Sequence, residues 1–297
     1  MGNCLAASHM PLVIQETLLA SWDAFRQVVS SLEGRWHFRG LLRHHQLESS
    51  LERTAKSWGI EASELPKVER RLLREFKRTF PTRDYLQEPA RGEDIDWLAL
   101  MQHHGAPTRL LDFTYSPFVA AFFALEMLLK SAVDKQRPAP EAAVWALSVE
   151  PVANDVVANM IPAGKLRDHF TLCSQGRTGA SFRPVFLEAD PRLLFVTPVN
   201  PFRLNERLTV QQGLFLCPGD VSKPFESNLE AVEGATDPKN IKKLVLPRSV
   251  LQEGFAALGK MNISAASLFP GVDGFARSLC HKMEFLRTVP LFDGADY

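Results

Sequence analysis

The chain has 297 residues, 45% of them hydrophobic and 23% charged, the mixture of a folded globular protein and not of a disordered one. Lys+Arg and Asp+Glu both number 34, so no net field draws the whole molecule to nucleic acid or to anionic lipid. The four cysteines, Cys4, Cys173, Cys217 and Cys280, are scattered with no C-x-x-C pair, which argues against a zinc knuckle or a disulfide scaffold and for a reducing, cytoplasmic compartment.

Residues 1–14 are expected to be a flexible N-terminus or residues left by cloning. "MGNCLAASHM" lacks the basic and long apolar regions of a secretory signal, and Ala6 stands where N-acylation wants Ser or Thr. Residues 11–32 predict a strand passing into an amphipathic helix on Leu18, Leu19, Trp22, Phe25 and Val28. "RWHFRG" (35–40) alternates and stops at a glycine, as a short strand does. Helical spacing then dominates 47–60 and 67–80, with Ser49 or Ser50 and Ser63 as N-caps and Pro66 near the second start. Within it "ERRLLREFKR" (69–78) carries Leu72, Leu73 and Phe76 at helical spacing. It reads as an amphipathic helix with a solvated face and only weakly as an RNA or phosphate surface. A further helix over 94–105 ends on Gly105, with Pro107 just beyond.

The stretch "QHHGAPTRLLDFTYSPFVAAFFAL" (102–125) changes from polar to apolar. If "TRLLDF" is a strand, Arg109 and Asp112 lie on opposite faces, open either to ion pairing within the fold or to a ligand. Ser116 and Pro117 begin a helix that is apolar on every side, hence buried. Its N-terminus would hold an anion or a ligand hydroxyl near Thr114 and Ser116, unless both only cap it. The adjacent His103 and His104 cannot easily address one metal, and no ligand-spaced partner accompanies them, so no metal is predicted. His104 is a candidate acid or base and His103 a candidate donor to a ligand. Glu126 and Lys130 interrupt the apolar run before it could span a bilayer, so no membrane contact is expected.

A surface loop over 131–142 precedes strands expected at 142–149, 183–190, 193–199, 213–219 and 242–248, and a helix over 249–269 with a break near Gly259. Strands following helices argue α+β. Arg39 ends a strand next to Gly40, where a ligand's phosphates could approach the backbone. "NERLTVQQGLF" places Arg207, Gln211 and Gly213 at the entry to another strand. Gln211 offers a donor and an acceptor to a ribose or a base edge. G-x-S-x-G, the P-loop and G-x-G-x-x-G are absent, as is a carboxylate cluster for a metal nuclease.

Together "FRG" (38–40), "HHGAPTRLLDFTYSPFVAAFFAL", "RLTVQQGLF" and "SLFPGVDGFA" resemble the FRG-domain family over about residues 15–280, which would make that span one domain and 281–297 a C-terminal tail. The layout is similar to that of ADP-ribosyltransferases of the R-S-E type, which implies a split mixed β-sheet with helical N-terminal and C-terminal elements. By that resemblance Arg39 would hold the NAD pyrophosphate or ribose; Gly40, His103, Arg109 and Arg207 are the further candidates for contacting it. Thr114 or Ser116 would supply the Ser/Thr element, and Gln211 would stand where the catalytic glutamate is expected. That position is a departure: glutamine keeps a ribose contact but supplies no negative charge to the developing cation at C1′, which Asp112 or Glu206 would have to replace. The implied function is a bacterial, NAD-using ADP-ribosyltransferase or NAD glycohydrolase in a toxin or phage-defence role, with an acceptor not named by the residues. A non-catalytic nucleotide sensor or interaction module is the alternative.

Overall fold

The computed structural model describes residues 14–80, 89, 92–131, 139–177, 179–201 and 206–286. The expectations for 1–13, 287–297 and most of the loop at 131–142 lie outside the described residues. The strands are β1 (Glu16–Leu18), β2 (Trp36–Leu42), β3 (Leu111–Thr114), β4 (Ala142–Ser148), β5 (Val196–Val199), β6 (Gly213–Pro218) and β7 (Ile241–Leu246). The helices, in chain order, are α1 (Trp22–Ser30), α2 (Ser50–Trp58), α3 (Leu65–Thr79), α4 (Asp94–His103), α5 (Pro117–Lys130), α6 (Val149–Val152), α7 (Asn154–Ala158), α8 (Lys165–Ser174), α9 (Glu206–Val210), α10 (Phe225–Glu230), α11 (Leu251–Lys260), α12 (Ala265–Leu268) and α13 (Val272–Leu286).

The strands form one mixed sheet in the order β1-β7-β4-β2-β3-β6-β5. Only β1 and β7 run parallel; the other neighbours are antiparallel. This is the α+β class that the order of elements predicts. Each face of the sheet carries a core. One is built on Trp22 and Phe25 of α1, Phe122 and Leu125 of α5 and Phe255 of α11; the other on Trp97 and Leu98 of α4, Phe170 of α8, Phe186 and Phe195. With helices on both sides, β4 is buried along nearly its whole length, which is why it reads as a continuous apolar run without alternation.

Helix α5 begins as its sequence dictates, Ser116 Oγ accepting from the N–H of Val119 and Pro117 occupying the first turn. It packs on β2 at Gly40. A Cβ there would overlap the carbonyl oxygen of Ala120 and stand 2.6 Å from the nitrogen of Ala124. The missing Cβ of Gly40 is thus what lets the helix lie on the strand.

Three local expectations are corrected. Strand β2 runs past Gly40 to Leu42, continuing the ladder with β4. Residues 183–190 form no strand but a π-helical turn at Arg183–Leu187, because Val185, Phe186 and Leu187 are all buried in a helical stretch while Arg183 is held by Asp94 and Glu188; a short apolar run does not by itself tell strand from helix. Ser63 lies in a 3₁₀ turn and does not cap α3, whereas Ser49 forms a capping box with Glu52. The break expected near Gly259 is present: α11 ends at Lys260, Asn262 takes a left-handed conformation and Ser264 caps α12. The start of the expected tail, 281–286, is helical.

β2 and β3 pair only at Phe38 and Thr114, whereas β2 pairs with β4 at seven positions. Beyond Phe38 the two central strands part. The sheet is split there, and the split opens the site.

Candidate functional site

A cavity of about 540 Å³ occupies the fork between β2 and β3. Arg39 and Gly40 line it from β2, and Asp112, Phe113 and Thr114 from β3; Phe123, Glu126 and Met127 come from the flank of α5. Arg207 and Gln211 close it from α9 and the turn after it, and Phe269 and Arg277 from the C-terminal helices. Arg53 of α2, with His44 and His45, lines it as well.

Arg39 marks the point where the ladder fails. Its Nη1 donates to the carbonyl oxygen of Asp112, bridging strands that no longer bond each other. The Asp112 carboxylate is 3.9 Å away and 62% exposed, while the Arg39 side chain is 14% exposed. Arg39 Nε is buried and has no hydrogen-bond partner among the described residues. Burial holds this guanidinium below its ordinary pKa; the Asp112 charge works against that and Arg53 adds to it. A buried guanidinium with one unsatisfied N–H and a cationic neighbour is stabilised by an anion in the space it lines.

The remaining charges sharpen that bias. Glu126 is bound by both Nε and Nη2 of Arg277 and lies 3.0 Å from Lys130 Nζ. Glu48 pairs with Lys56. Arg53 has only the carbonyl oxygen of Glu48, at 2.6 Å, among the described residues. Arg207 has no carboxylate partner among the described residues; its guanidinium lies 4.8 Å from the centre of the Phe269 ring, which Arg277 approaches to 4.1 Å. Burial lowers the Arg207 pKa, Asp112 raising it and Arg277 lowering it further. Among the described residues Arg53 and Arg207 thus have no carboxylate ion pair, Arg39 has only the long contact with the exposed Asp112, and Asp112 is the one lining carboxylate not already taken by a closer cation.

Gln211 donates from Nε2 to the carbonyl oxygen of Leu268 at 2.9 Å, and its amide oxygen makes no hydrogen bond among the described residues. Thr114 Oγ1 donates to the carbonyl oxygen of Gln211 at 2.7 Å and accepts from the N–H of Ser116 at 3.1 Å. This hydroxyl latches the end of β3 to the turn before β6. The next residue, Gln212, has φ 48°, the left-handed bend that turns α9 into the strand.

The structure therefore gathers Arg39, Gly40, Asp112, Thr114, Arg207 and Gln211. His103 lines an adjoining recess of about 60 Å³ that shares Asp112, Arg207 and Gln211; burial, His104 and Arg207, in that order, lower its pKa. His104 is exposed, edge-on to His103 with ring centres 5.0 Å apart, and lines neither space. Ser116 caps α5 away from the cavity, which takes the flank of that helix and not its N-terminus. Glu206 lies outside too. Arg109 is buried elsewhere, its Nε and Nη2 on the two oxygens of Glu69 and its Nη1 3.2 Å from the carbonyl oxygen of Pro218. Sequence reasoning missed Arg53, His44, His45, Phe123 and Arg277. The His44–His45 pair just after β2 was as visible as His103–His104, and Arg277 directly follows the closing block; Arg53 on an amphipathic helix gave no signal.

No curated protein and no solved structure matches the chain. Of the four sequence blocks, "FRG" and the 103–125 block fall within residues 34–132, whereas 207–215 and 267–276 fall outside; all four bring residues to the one cavity. Residues 34–132, about a third of the 297-residue chain, match the family model of the FRG domain, and the chain carries an FRG domain.

Proposed function

We propose that the fork cavity binds a nucleotide of the NAD class, with its pyrophosphate on Arg39 and Arg53, and that the protein cleaves or transfers from the ribosyl–nicotinamide bond. The single observation that carries this reading is Arg39: a nearly buried guanidinium with an unpartnered Nε–H, lining a cavity of about 540 Å³. Phe123 and Phe269 supply apolar surface for a base, and the open amide oxygen of Gln211 can accept from a ribose hydroxyl. Asp112 then carries the electrostatic role that Gln211 cannot. As the bond to C1′ breaks, nicotinamide leaves with the electron pair, positive charge grows on the ribose, and a nearby carboxylate stabilises it. Water or an acceptor hydroxyl adds to C1′ and gives up its proton. The free thiols Cys173 and Cys217 support a reducing, cytoplasmic setting. A toxin or defence role rests on the family resemblance alone.

One observation favours a non-catalytic sensor: the side-chain amide of Gln211 is tied to the Leu268 carbonyl, in the place where the resemblance expects a free carboxylate. Nicotinamide release from NAD, followed by chromatography with and without a cell extract, separates the two. Release that falls at least about tenfold in Asp112→Asn, the order expected when one electrostatic interaction with the transition state is removed, supports the enzyme. Saturable NAD binding with no release supports the sensor. Absence of both refutes the nucleotide reading.

A further inference from the structure

A second surface is independent of the fork cavity. Helix α3 buries Leu65, Glu69 and Leu73, and on its other side lies a groove of about 820 Å³ lined by Lys67, Arg70, Arg71, Arg74, Lys77 and Arg78, with Arg183 from the π-helical turn and, among the described residues, no carboxylate. At 3.6 residues per turn, residues 67, 70, 71, 74 and 78 fall within an arc of about 100°. A zero net charge thus conceals a one-sided stripe of cations.

We propose that this stripe binds the phosphate backbone of a single strand of nucleic acid. Continuity of charge favours that occupant. Residues 67 to 78 span about 16 Å of helix at 1.5 Å per residue, with a stripe of cations along it. A nucleic-acid strand carries a negative charge on every nucleotide whatever its sequence, whereas a peptide matches such a stripe only where its sequence sets acidic residues on one face. The patch is a groove and its large apolar members, Trp97 and Leu73, are buried, so a flat bilayer has nothing to bury there. Apart from Lys67, every cation in that arc is an arginine, and guanidinium matches phosphate bidentately.

Four of the cations, Lys67, Arg71, Arg74 and Arg78, are available. Arg71 has no partner among the described residues. Lys67 is 3.5 Å from Glu64, Arg74 3.4 Å from Glu75 and Arg78 3.8 Å from the same Glu75; exposed pairs of this kind are weak and yield to a phosphate. Lys77 and Arg183 hold Asp94, and Arg70 donates to the carbonyl oxygen of Leu187 at 2.8 Å. These three shape the groove, and the exposed arginines read the strand.

The test is fluorescence anisotropy of the full chain with labelled 20-nucleotide single-stranded RNA, with a 20-base-pair DNA duplex and with a polyglutamate peptide in parallel, across about 50–200 mM salt. The expected result is salt-sensitive binding of the single strand, tighter than that of either rival. In the double variant R71E/R74E the affinity should fall at least about tenfold and the slope of log K against log salt by about 1.4, at about 0.7 for each phosphate no longer neutralised. Should that variant unfold by circular dichroism, R71Q/R74Q gives the same reading with a smaller loss. Absent binding, equal binding of polyglutamate, preference for the duplex, or an unchanged affinity in the folded variants would each overturn the proposal.

Discussion

Arg109 and Arg39 stand for the two uses a folded chain makes of a buried guanidinium. The first is closed: Glu69 takes it from both sides and backbone carbonyls take the rest. Removing one partner of such a pair strands the other charge, so Glu69→Gln should cost about 3–5 kcal/mol in urea unfolding, whereas replacing both by apolar residues of similar volume should restore much of the loss. Equal losses in the single and double variants would contradict this. Arg39 is open, and its spare Nε–H is what distinguishes a site from a brace. His37, two residues earlier on β2, shows what burial does to a ring nitrogen with no hydrogen-bond partner among the described residues. It is 2% exposed, its Nδ1 is unbonded, and burial, helped by Arg35, lowers its pKa to about 4 from 6.5. Between those values the unfolded chain takes up a proton that the folded one refuses, so stability falls as pH drops from about 6.5 to about 4, by on the order of 3 kcal/mol. His37→Gln should flatten this slope in denaturant titrations; a slope equal to that of the unaltered protein would remove His37 as its source.

The contact of α5 with β2 is the element-scale feature on which the cavity depends. Gly40 lets the helix lie directly on the strand, so Gly40→Ala should cost at least about 1–3 kcal/mol by overpacking and displace the flank that carries Phe123 and Met127. Thermal unfolding with an unchanged midpoint would contradict this. Elements with strong local signals were legible in the chain: the start of α5 at Ser116–Pro117, a helix capped at Ser49 or Ser50 and the apolar strand β4. Residues 183–190 were not, because a short apolar run beside a proline carries no period, and the ion pairs that hold Arg183 come from Asp94, some ninety residues away. At Gly40, which lines the cavity, the packing of α5 on the strand was not legible, since a missing Cβ says that something approaches closely but not what.

At the scale of the molecule, four blocks spread from residue 38 to residue 276 meet at one fork in the sheet. Arg39, Asp112, Arg207 and Gln211 were readable as polar residues set at strand ends. Arg53 was not, because its role arises only when α2 docks beside the fork, and Arg277 was legible only by its place directly after the last block. The same long-range packing buries Cys217 and half-buries Cys173. Burial raises the Cys173 thiol to about 12, the Glu93 charge adding to it, and pushes Cys217 up as well, so peptide mapping after iodoacetamide at pH 8 should find Cys217 unmodified in the folded protein and labelled only in denaturant, and Cys173 labelled far more slowly in the folded protein than in denaturant. Labelling of Cys217 under native conditions would show a looser core.

The functional reading stands or falls on whether Arg39 holds an anion in the fork. Calorimetric titration of the full chain with NAD decides this, comparing the unaltered protein with an Arg39→Ala variant shown to be folded. Saturable binding at one site is expected, weakened about 10- to 100-fold by the substitution, as the removal of a charged hydrogen-bonding group implies. No binding, or binding that Arg39→Ala leaves unchanged, would contradict it.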